Sequence, residues 1–130
     1  MPIDHVKLPV SDLAGSRAFY DAALAPLGWK LVYAGRTSLG YGTGDGGSDD
    51  EPFAVEVSAT PVARTHVALT ASSAAQVEAF HAAALAAGGR DNGAPGERPY
   101  GGSYDAAFVL DPDGHNIEAV HHGEADRRVR

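Results

Sequence analysis

His5-Val6-Lys7-Leu8 opens a pattern that the chain repeats 61 residues later, beginning at His66-Val67-Ala68-Leu69. Over the 24 positions that start at each of these histidines, 12 residues are identical without a gap. Self-similarity at a fixed spacing indicates that one supersecondary unit is present twice. The duplication also brings a matched pair of histidines, His5 and His66, to the same place in the two units.

Length and composition limit the classes of protein to which the chain can belong. With 130 residues the chain has the size of one domain, so the two copies must share a hydrophobic core. The sequence contains no cysteine, which excludes disulfides and thiolate metal ligands. A net charge of −7 argues against a nucleic acid partner. Because we recognise neither a leader peptide nor an apolar run of about 18 residues, we expect a cytoplasmic protein without membrane contact.

Each copy reads as a strand, a helix and further strands. The predicted elements of the first copy are a strand at 3–10, a helix from Leu13 to Leu27, and strands at 29–34, 38–43 and 53–58. Those of the second copy are a strand at 65–70, a helix at 74–87, and strands at 106–110 and 116–120. The Gly/Pro-rich stretch 90–103 leaves room for at most one short, weak strand. We predict a single domain over residues 1–124, with βαβββ modules at 1–62 and 63–124 and a tail at 125–130.

Strand alternation predicts the direction in which the histidines point. The apolar neighbours of His5 and of His66 must cover the helices, which turns both histidines to the opposite face. In the last strand the same reasoning turns Glu118 to that face. Aligning Val55-Glu56-Val57 with Ile117-Glu118-Ala119 makes Glu56 the counterpart of Glu118. Two histidines and one or two glutamates at one cavity predict a site for a divalent metal, such as zinc, nickel, iron(II), manganese or cobalt.

Other interpretations of these polar residues stay open. A histidine in a strand is often a structural residue with a hydrogen-bond partner, and an inward glutamate can pair with Lys7. His81 on the second helix and His115 in the last turn are predicted to be exposed. His122 alternates with Glu118 and points toward the cavity from the end of its strand.

Four residues are candidates for substrate binding. Lys7 shares a face with His5 and could contact a substrate anion, form a salt bridge with a glutamate, or extend into solvent. The long loop of the second copy carries Arg98, Tyr100 and Tyr104, which could line or close the cavity, since binding residues gather on such loops. The alternative is a surface loop that packs on its own tyrosines.

Four passages of the chain resemble the vicinal oxygen chelate superfamily, which includes glyoxalases, fosfomycin-resistance proteins, extradiol dioxygenases and bleomycin-resistance binding proteins. These passages are His5-Val6 with Val10-Ser11-Asp12-Leu13, Ser16-Arg17-Ala18-Phe19-Tyr20, His66-Val67-Ala68-Leu69, and Phe108 with the run from Leu110 to Glu118. The resemblance implies an α+β fold in which two βαβββ modules form an eight-stranded open barrel around a central cavity. It also implies a homodimer and a metal bound by His5, His66 and Glu118, with Glu56 as fourth ligand in the glyoxalase-like pattern.

The resemblance is specific for a superfamily and not for one reaction. Its metal sites act as Lewis acids that chelate two adjacent oxygens of a small substrate. A three-ligand site keeps one positive charge and suits anionic substrates or oxygen activation, as in a dioxygenase. A neutral four-ligand site suits proton abstraction next to a carbonyl by a lyase or isomerase, with Glu56 or Glu118 as the catalytic base. The alternative function is a metal-free protein that binds and sequesters a small molecule, as bleomycin-resistance proteins do.

Overall fold

The chain folds as the predicted βαβββ unit, formed twice. The computed structural model describes residues 3–45, 50–60, 62–100 and 102–123, so the predicted tail at 125–130 lies outside the described residues. The elements are β1 (Val6–Val10), α1 (Leu13–Leu24) with a 3₁₀ turn (Ala25–Leu27), β2 (Lys30–Ala34), β3 (Ser38–Gly42), β4 (Phe53–Val57), β5 (His66–Thr70), α2 (Ala74–Ala86), β6 (Arg90–Glu97), β7 (Tyr104–Leu110) and β8 (Asn116–His122). Neither of these two helices has the length and apolar character needed to span a membrane.

Each module contributes one four-stranded sheet. The strand order is β1-β4-β3-β2 in module one and β5-β8-β7-β6 in module two. In both sheets the first strand of the module runs parallel to the last, and the remaining pairs are antiparallel. No described strand of one sheet pairs with a strand of the other. Within one chain the two sheets therefore do not close into the predicted barrel.

The alternation of β1 orients its side chains as predicted. Leu8 and Val10 are buried, whereas the side chain of Lys7 is 48% exposed. Each helix covers the sheet of its own module, and the two helices also contact each other. Buried residues from both modules form one hydrophobic cluster, which confirms the shared core. We call the face of each sheet that lies opposite its helix the ligand face.

The Gly/Pro-rich segment 90–103 contains a longer strand than the sequence predicted. It was expected to hold at most one short strand, but β6 extends for eight residues, Arg90–Glu97. The pairing of β6 with β7 shifts register twice. The Arg98 guanidinium donates hydrogen bonds to the carbonyls of Ala94 and Gly96 at 2.6 and 2.9 Å. These bonds support a strand whose glycines and proline disfavour regular pairing.

A turn in module two forms hydrogen bonds with module one. We call the residues of this turn, Asp111-Pro112-Asp113-Gly114-His115, the clasp. Asp111 is 2% exposed and accepts a hydrogen bond from the Tyr20 hydroxyl on α1. Burial and the neighbouring Asp111 carboxylate raise the pKa of the Tyr20 phenol well above its usual value. The Asp113 carboxylate accepts a bond from the Ser11 backbone N–H at 3.1 Å. The clasp therefore fixes the start of α1 and its inner face to module two.

The two histidines that were predicted to be exposed are not. His115 is fully buried: its Nδ1 accepts from the Thr65 N–H at 3.0 Å, so its Nε2 carries the proton and donates to the Pro9 carbonyl at 2.7 Å. This neutral imidazole ties β1 to the segment that leads into β5. The His81 side chain is only 14% exposed, and its Nε2 lies 3.0 Å from Asp91 Oδ1. Hydrogen bonding to His81 lowers the pKa of the Asp91 carboxyl.

Candidate metal centre

Module two brings two predicted metal ligands into contact. His66 is the first residue of β5, and Glu118 lies on the neighbouring strand β8, where it pairs with Ala68. The His66 Nε2 is 3.0 Å from Glu118 Oε1. The Glu118 side chain is 3% exposed and that of His66 is 49% exposed. The carboxylate is thus enclosed by protein, while the imidazole beside it reaches solvent.

Tyr104 contacts the second oxygen of Glu118. Its hydroxyl donates a hydrogen bond to Glu118 Oε2 at 2.5 Å. On β7 the residue directly opposite Glu118 is Phe108, and Ala106 stands between Tyr104 and Phe108 on the same face. The small side chain of Ala106 leaves room for the tyrosine to lean along its strand toward Glu118. Both oxygens of this carboxylate therefore have a partner.

Phe108 connects His66 with Arg98, one of the predicted substrate-binding residues. Its ring stacks against the His66 imidazole at a centroid distance of 6.1 Å, and the Arg98 guanidinium carbon lies 5.3 Å from its centre. The sequence places Phe108 in the passages that resemble the superfamily, but Phe108 was not among the predicted site residues. Counting back through the hairpin from the turn at Asp111 pairs Phe108 with Glu118, and this signal would have placed it at the site.

The other aromatic candidates surround Tyr104. Tyr100 is 55% exposed, and its ring meets the Tyr104 ring edge-on at 4.9 Å. The His122 ring also meets Tyr104 edge-on, at 5.0 Å. Tyr104 and His122 are direct cross-strand partners. His122 therefore lies on the ligand face of β8 at the end of the strand.

The predicted ligands of module one have other partners. His5 precedes β1 rather than lying within it, and its Nδ1 is 2.8 Å from Asp4 Oδ1. The Glu56 carboxylate is 3.5 Å from the Lys7 ammonium, and both side chains line a cavity of about 400 Å³. Of the roles considered for Lys7, the salt bridge is the one that the structure contains. In the described part of the chain, no three His, Asp or Glu side chains cluster closely enough to hold a metal ion.

Strand register changes the predicted counterpart of Glu118. Lys7 pairs with Ala54 in module one, and Ala68 pairs with Glu118 in module two. Lys7 and Ala68 are equivalent residues at the repeat offset of 61, so the counterpart of Glu118 is Ala54. The alignment of Glu56 with Glu118 was therefore wrong by two residues. Glu56 nevertheless lies on the ligand face, as alternation predicted.

The donors of module two fit a divalent metal. Imidazole nitrogen and carboxylate oxygen bind zinc at about 2.0–2.2 Å, which places two donors of one ion about 3 Å apart at a right angle and slightly further apart at the tetrahedral angle. The distance of 3.0 Å between His66 Nε2 and Glu118 Oε1 is close to this separation. The separation of the two atoms is thus compatible with two ligands of one ion, and it is also that of the ion pair that they form in the structure.

Replacing Tyr104 with phenylalanine is expected to lower the free energy of unfolding of the metal-free protein by about 1–3 kcal/mol, because the enclosed Glu118 oxygen loses its donor. Urea denaturation measures this change. Tyr100→Phe is the matched control, since it removes a hydroxyl from the adjacent, exposed ring, and its effect is expected to stay within about 0.5 kcal/mol. Equal effects of the two substitutions would show that the bond to Glu118 is unimportant for stability.

Comparison with known proteins identifies the family. The sequence matches the family model of the Glyoxalase/Bleomycin resistance protein/Dioxygenase superfamily over residues 2–119. A glyoxalase/bleomycin resistance protein from Albidiferax ferrireducens is 30% identical, with coverage of 95% of this chain and 100% of that chain and a TM-score of 0.81. A mutant of glyoxalase I from Zea mays is 25% identical, with coverage of 92% of this chain and 46% of that chain and a TM-score of 0.70.

A third structure supports the fold alone. This glyoxalase-related enzyme from Fulvimarina pelagi is 20% identical, with coverage of 93% of this chain and 91% of that chain and a TM-score of 0.68. Among curated proteins none matches the sequence. The family model nevertheless spans most of the chain, and the paired βαβββ modules agree with it. This protein therefore belongs to the Glyoxalase/Bleomycin resistance protein/Dioxygenase superfamily.

Proposed function

We propose that this protein is a divalent-metal-dependent, glyoxalase-like enzyme that chelates two adjacent oxygens of a small substrate. The observation that carries the proposal is the pair formed by His66 and Glu118, whose donor atoms are 3.0 Å apart on the ligand face. When bound, the metal acts as a Lewis acid that stabilises negative charge on a substrate oxygen. An imidazole and carboxylate set accommodates zinc, nickel, iron(II), manganese or cobalt.

The residues of this chain have separate roles in the proposed site. His66 and Glu118 hold the metal from module two, and His5 holds it from module one. Tyr104 occupies one oxygen of Glu118 and thereby leaves Oε1, the oxygen next to His66, for the metal. Glu56 is poorly suited as a ligand, since Lys7 partly neutralises it and it lies two positions beyond the counterpart of Glu118.

We further propose that the complete site forms between two copies of the chain. The ligand faces are accessible in a single chain, with about half of the His66 and Lys7 side chains exposed. A twofold dimer lets module one of each copy face module two of the other. The ligand faces of the two sheets then enclose one cavity with eight strands around it, between two copies of the chain and not within one chain as the resemblance implied. His5 of one copy reaches His66 and Glu118 of the other.

Metal analysis tests the proposed function. After reconstitution with each of the five metals in turn, we expect the wild-type protein to retain one ion per chain and to be more stable to heat with that ion than without it. If no ion is retained under any condition, the enzyme proposal is wrong, and the metal-free binding protein becomes the better interpretation.

Mixed dimers test whether the site is shared. His5→Ala and His66→Ala are each expected to lose metal, because every cavity then lacks one histidine. A dimer with one chain of each variant has one cavity with both histidines and one with neither. In mixed dimers isolated through two different affinity tags, we expect about half of the wild-type metal content to return. Failure to obtain mixed dimers, or mixed dimers without metal, would overturn the shared site.

A further inference from the structure

Glu51, which precedes β4, has a buried carboxylate oxygen. Its Oε2 is shielded from solvent and has no hydrogen-bond partner among the described residues. Burying a carboxylate oxygen without a partner is unfavourable, and such an atom in a native fold calls for an explanation such as a catalytic role or a bound ion. The carboxylate is therefore a candidate for contact with a cation.

Two glycines of β3 make room for the segment that contains Glu51. Gly40 lies on the ligand face because it pairs with Ala54, and Gly42 alternates with it. A Cβ atom at Gly40 would collide with the Glu51 carboxylate, and one at Gly42 would lie 2.5 Å from the Asp50 carbonyl oxygen. The side chain of Glu51 therefore lies across the ligand face of module one, in space that only glycine leaves open.

The repeat relates the space over Gly40 to a position in module two. Gly40 pairs with Ala54, and Phe108 pairs with Glu118. Since Ala54 is the counterpart of Glu118, Gly40 is the counterpart of Phe108. The Glu51 carboxylate thus lies over Gly40, next to the position at which a symmetric glutamate would stand.

We propose that Glu51, and not Glu56, supplies the carboxylate of module one to the metal site and acts as a fourth ligand beside His5, His66 and Glu118. This inference rests on the proposed metal dependence. A divalent ion bound by His5, His66 and Glu118 keeps a net charge of one. A second carboxylate, that of Glu51, brings the net charge of the site to zero. A neutral site favours a substrate with an acidic C–H next to a carbonyl, and therefore the lyase or isomerase chemistry over the dioxygenase chemistry.

Glu51→Gln and Glu56→Gln form a matched pair for the test, because both lie in module one and change one carboxylate to an amide. Metal affinity is measured by competition with a chromophoric chelator. We expect Glu51→Gln to weaken affinity by about 10-fold to 100-fold or more, and Glu56→Gln to change it by less than about threefold. With cobalt(II) bound, the visible spectrum is expected to change in the first variant and to stay the same in the second.

Thermal unfolding separates a ligand from a structural residue. In the metal-free protein, an amide in place of the unpaired carboxylate is expected to leave Tm unchanged or to raise it, while the increase in Tm on metal binding becomes smaller. Gly40→Ala is a second variant, since its methyl group displaces the carboxylate, and it is expected to reproduce the loss of affinity. If the wild type binds metal and Glu51→Gln binds it equally well, Glu51 is not a ligand. If the wild type binds none, the proposed function itself is wrong.

Discussion

His66→Ala is expected to weaken the affinity for a divalent metal by more than about 100-fold, which exceeds the usual effect of losing a residue that only supports a ligand. The substitution removes a direct donor and leaves Glu118 Oε1 without the partner that lies 3.0 Å away. Competition titration with zinc or nickel measures the change. The far-ultraviolet circular dichroism spectrum is expected to stay the same, because half of the His66 side chain is exposed and the helices pack on the other face of the sheet.

His81→Ala is the matched control for this experiment. Its Nε2 also lies 3.0 Å from a carboxylate oxygen, that of Asp91, but the pair joins α2 to β6 away from the ligand face. We therefore expect His81→Ala to leave metal affinity unchanged, although it removes the same type of contact. Similar losses in both variants would mean that the histidines act through the stability of the fold, and the assignment of His66 as a ligand would then be wrong.

Asp111→Ala is expected to lower the free energy of unfolding by about 3–5 kcal/mol, because breaking a buried hydrogen-bonded network leaves several donors without a partner. The Asp111 carboxylate accepts bonds from the Tyr20 hydroxyl and from the backbone N–H groups of Asp113 and His115. Urea denaturation monitored by tryptophan fluorescence measures the change through the single tryptophan of the chain, Trp29.

Asp113→Ala is the control for Asp111→Ala, since it removes another carboxylate from the same turn. Its carboxylate is less buried and accepts from one backbone N–H, that of Ser11, so we expect a loss of about 1 kcal/mol. Comparable losses for the two substitutions would show that the turn acts only as a local loop. A much larger loss for Asp111 indicates that its buried carboxylate, which accepts from Tyr20 and from two backbone N–H groups of the turn, supports the contact between the modules.

The local periodicity of the sequence predicts which face a residue occupies but not its position along the strand. Leu8 and Val10 are buried, and Lys7, Glu56 and His66 are on the opposite face, because side chains alternate with a period of two. A shift of two residues preserves this alternation. The pattern therefore could not detect that Ala54, rather than Glu56, is the counterpart of Glu118.

Contacts outside the regular elements could not be read from periodicity. His115 lies in a turn, and its partners, Pro9 and Thr65, are 106 and 50 residues away in sequence. Glu51 lies before its strand, so alternation assigns it no face. Its signal is the alternating pair Gly40 and Gly42, which leaves two consecutive positions on one face of β3 without side chains. The absence of side chains at consecutive positions of one face is thus informative, since another part of the chain must cover that face.

The clasp also affects the order in which the protein can fold during synthesis. Tyr20 bonds to a residue 91 positions later, and Ser11 to one 102 positions later. Translation proceeds from the N-terminus, so module one leaves the ribosome well before the turn that anchors its helix. Until then, the Tyr20 hydroxyl lacks its acceptor, and a chain stalled before α2 is made exposes the surface of α1 that packs on that helix to chaperones and aggregation. Completion of the fold therefore depends on the last part of the second repeat.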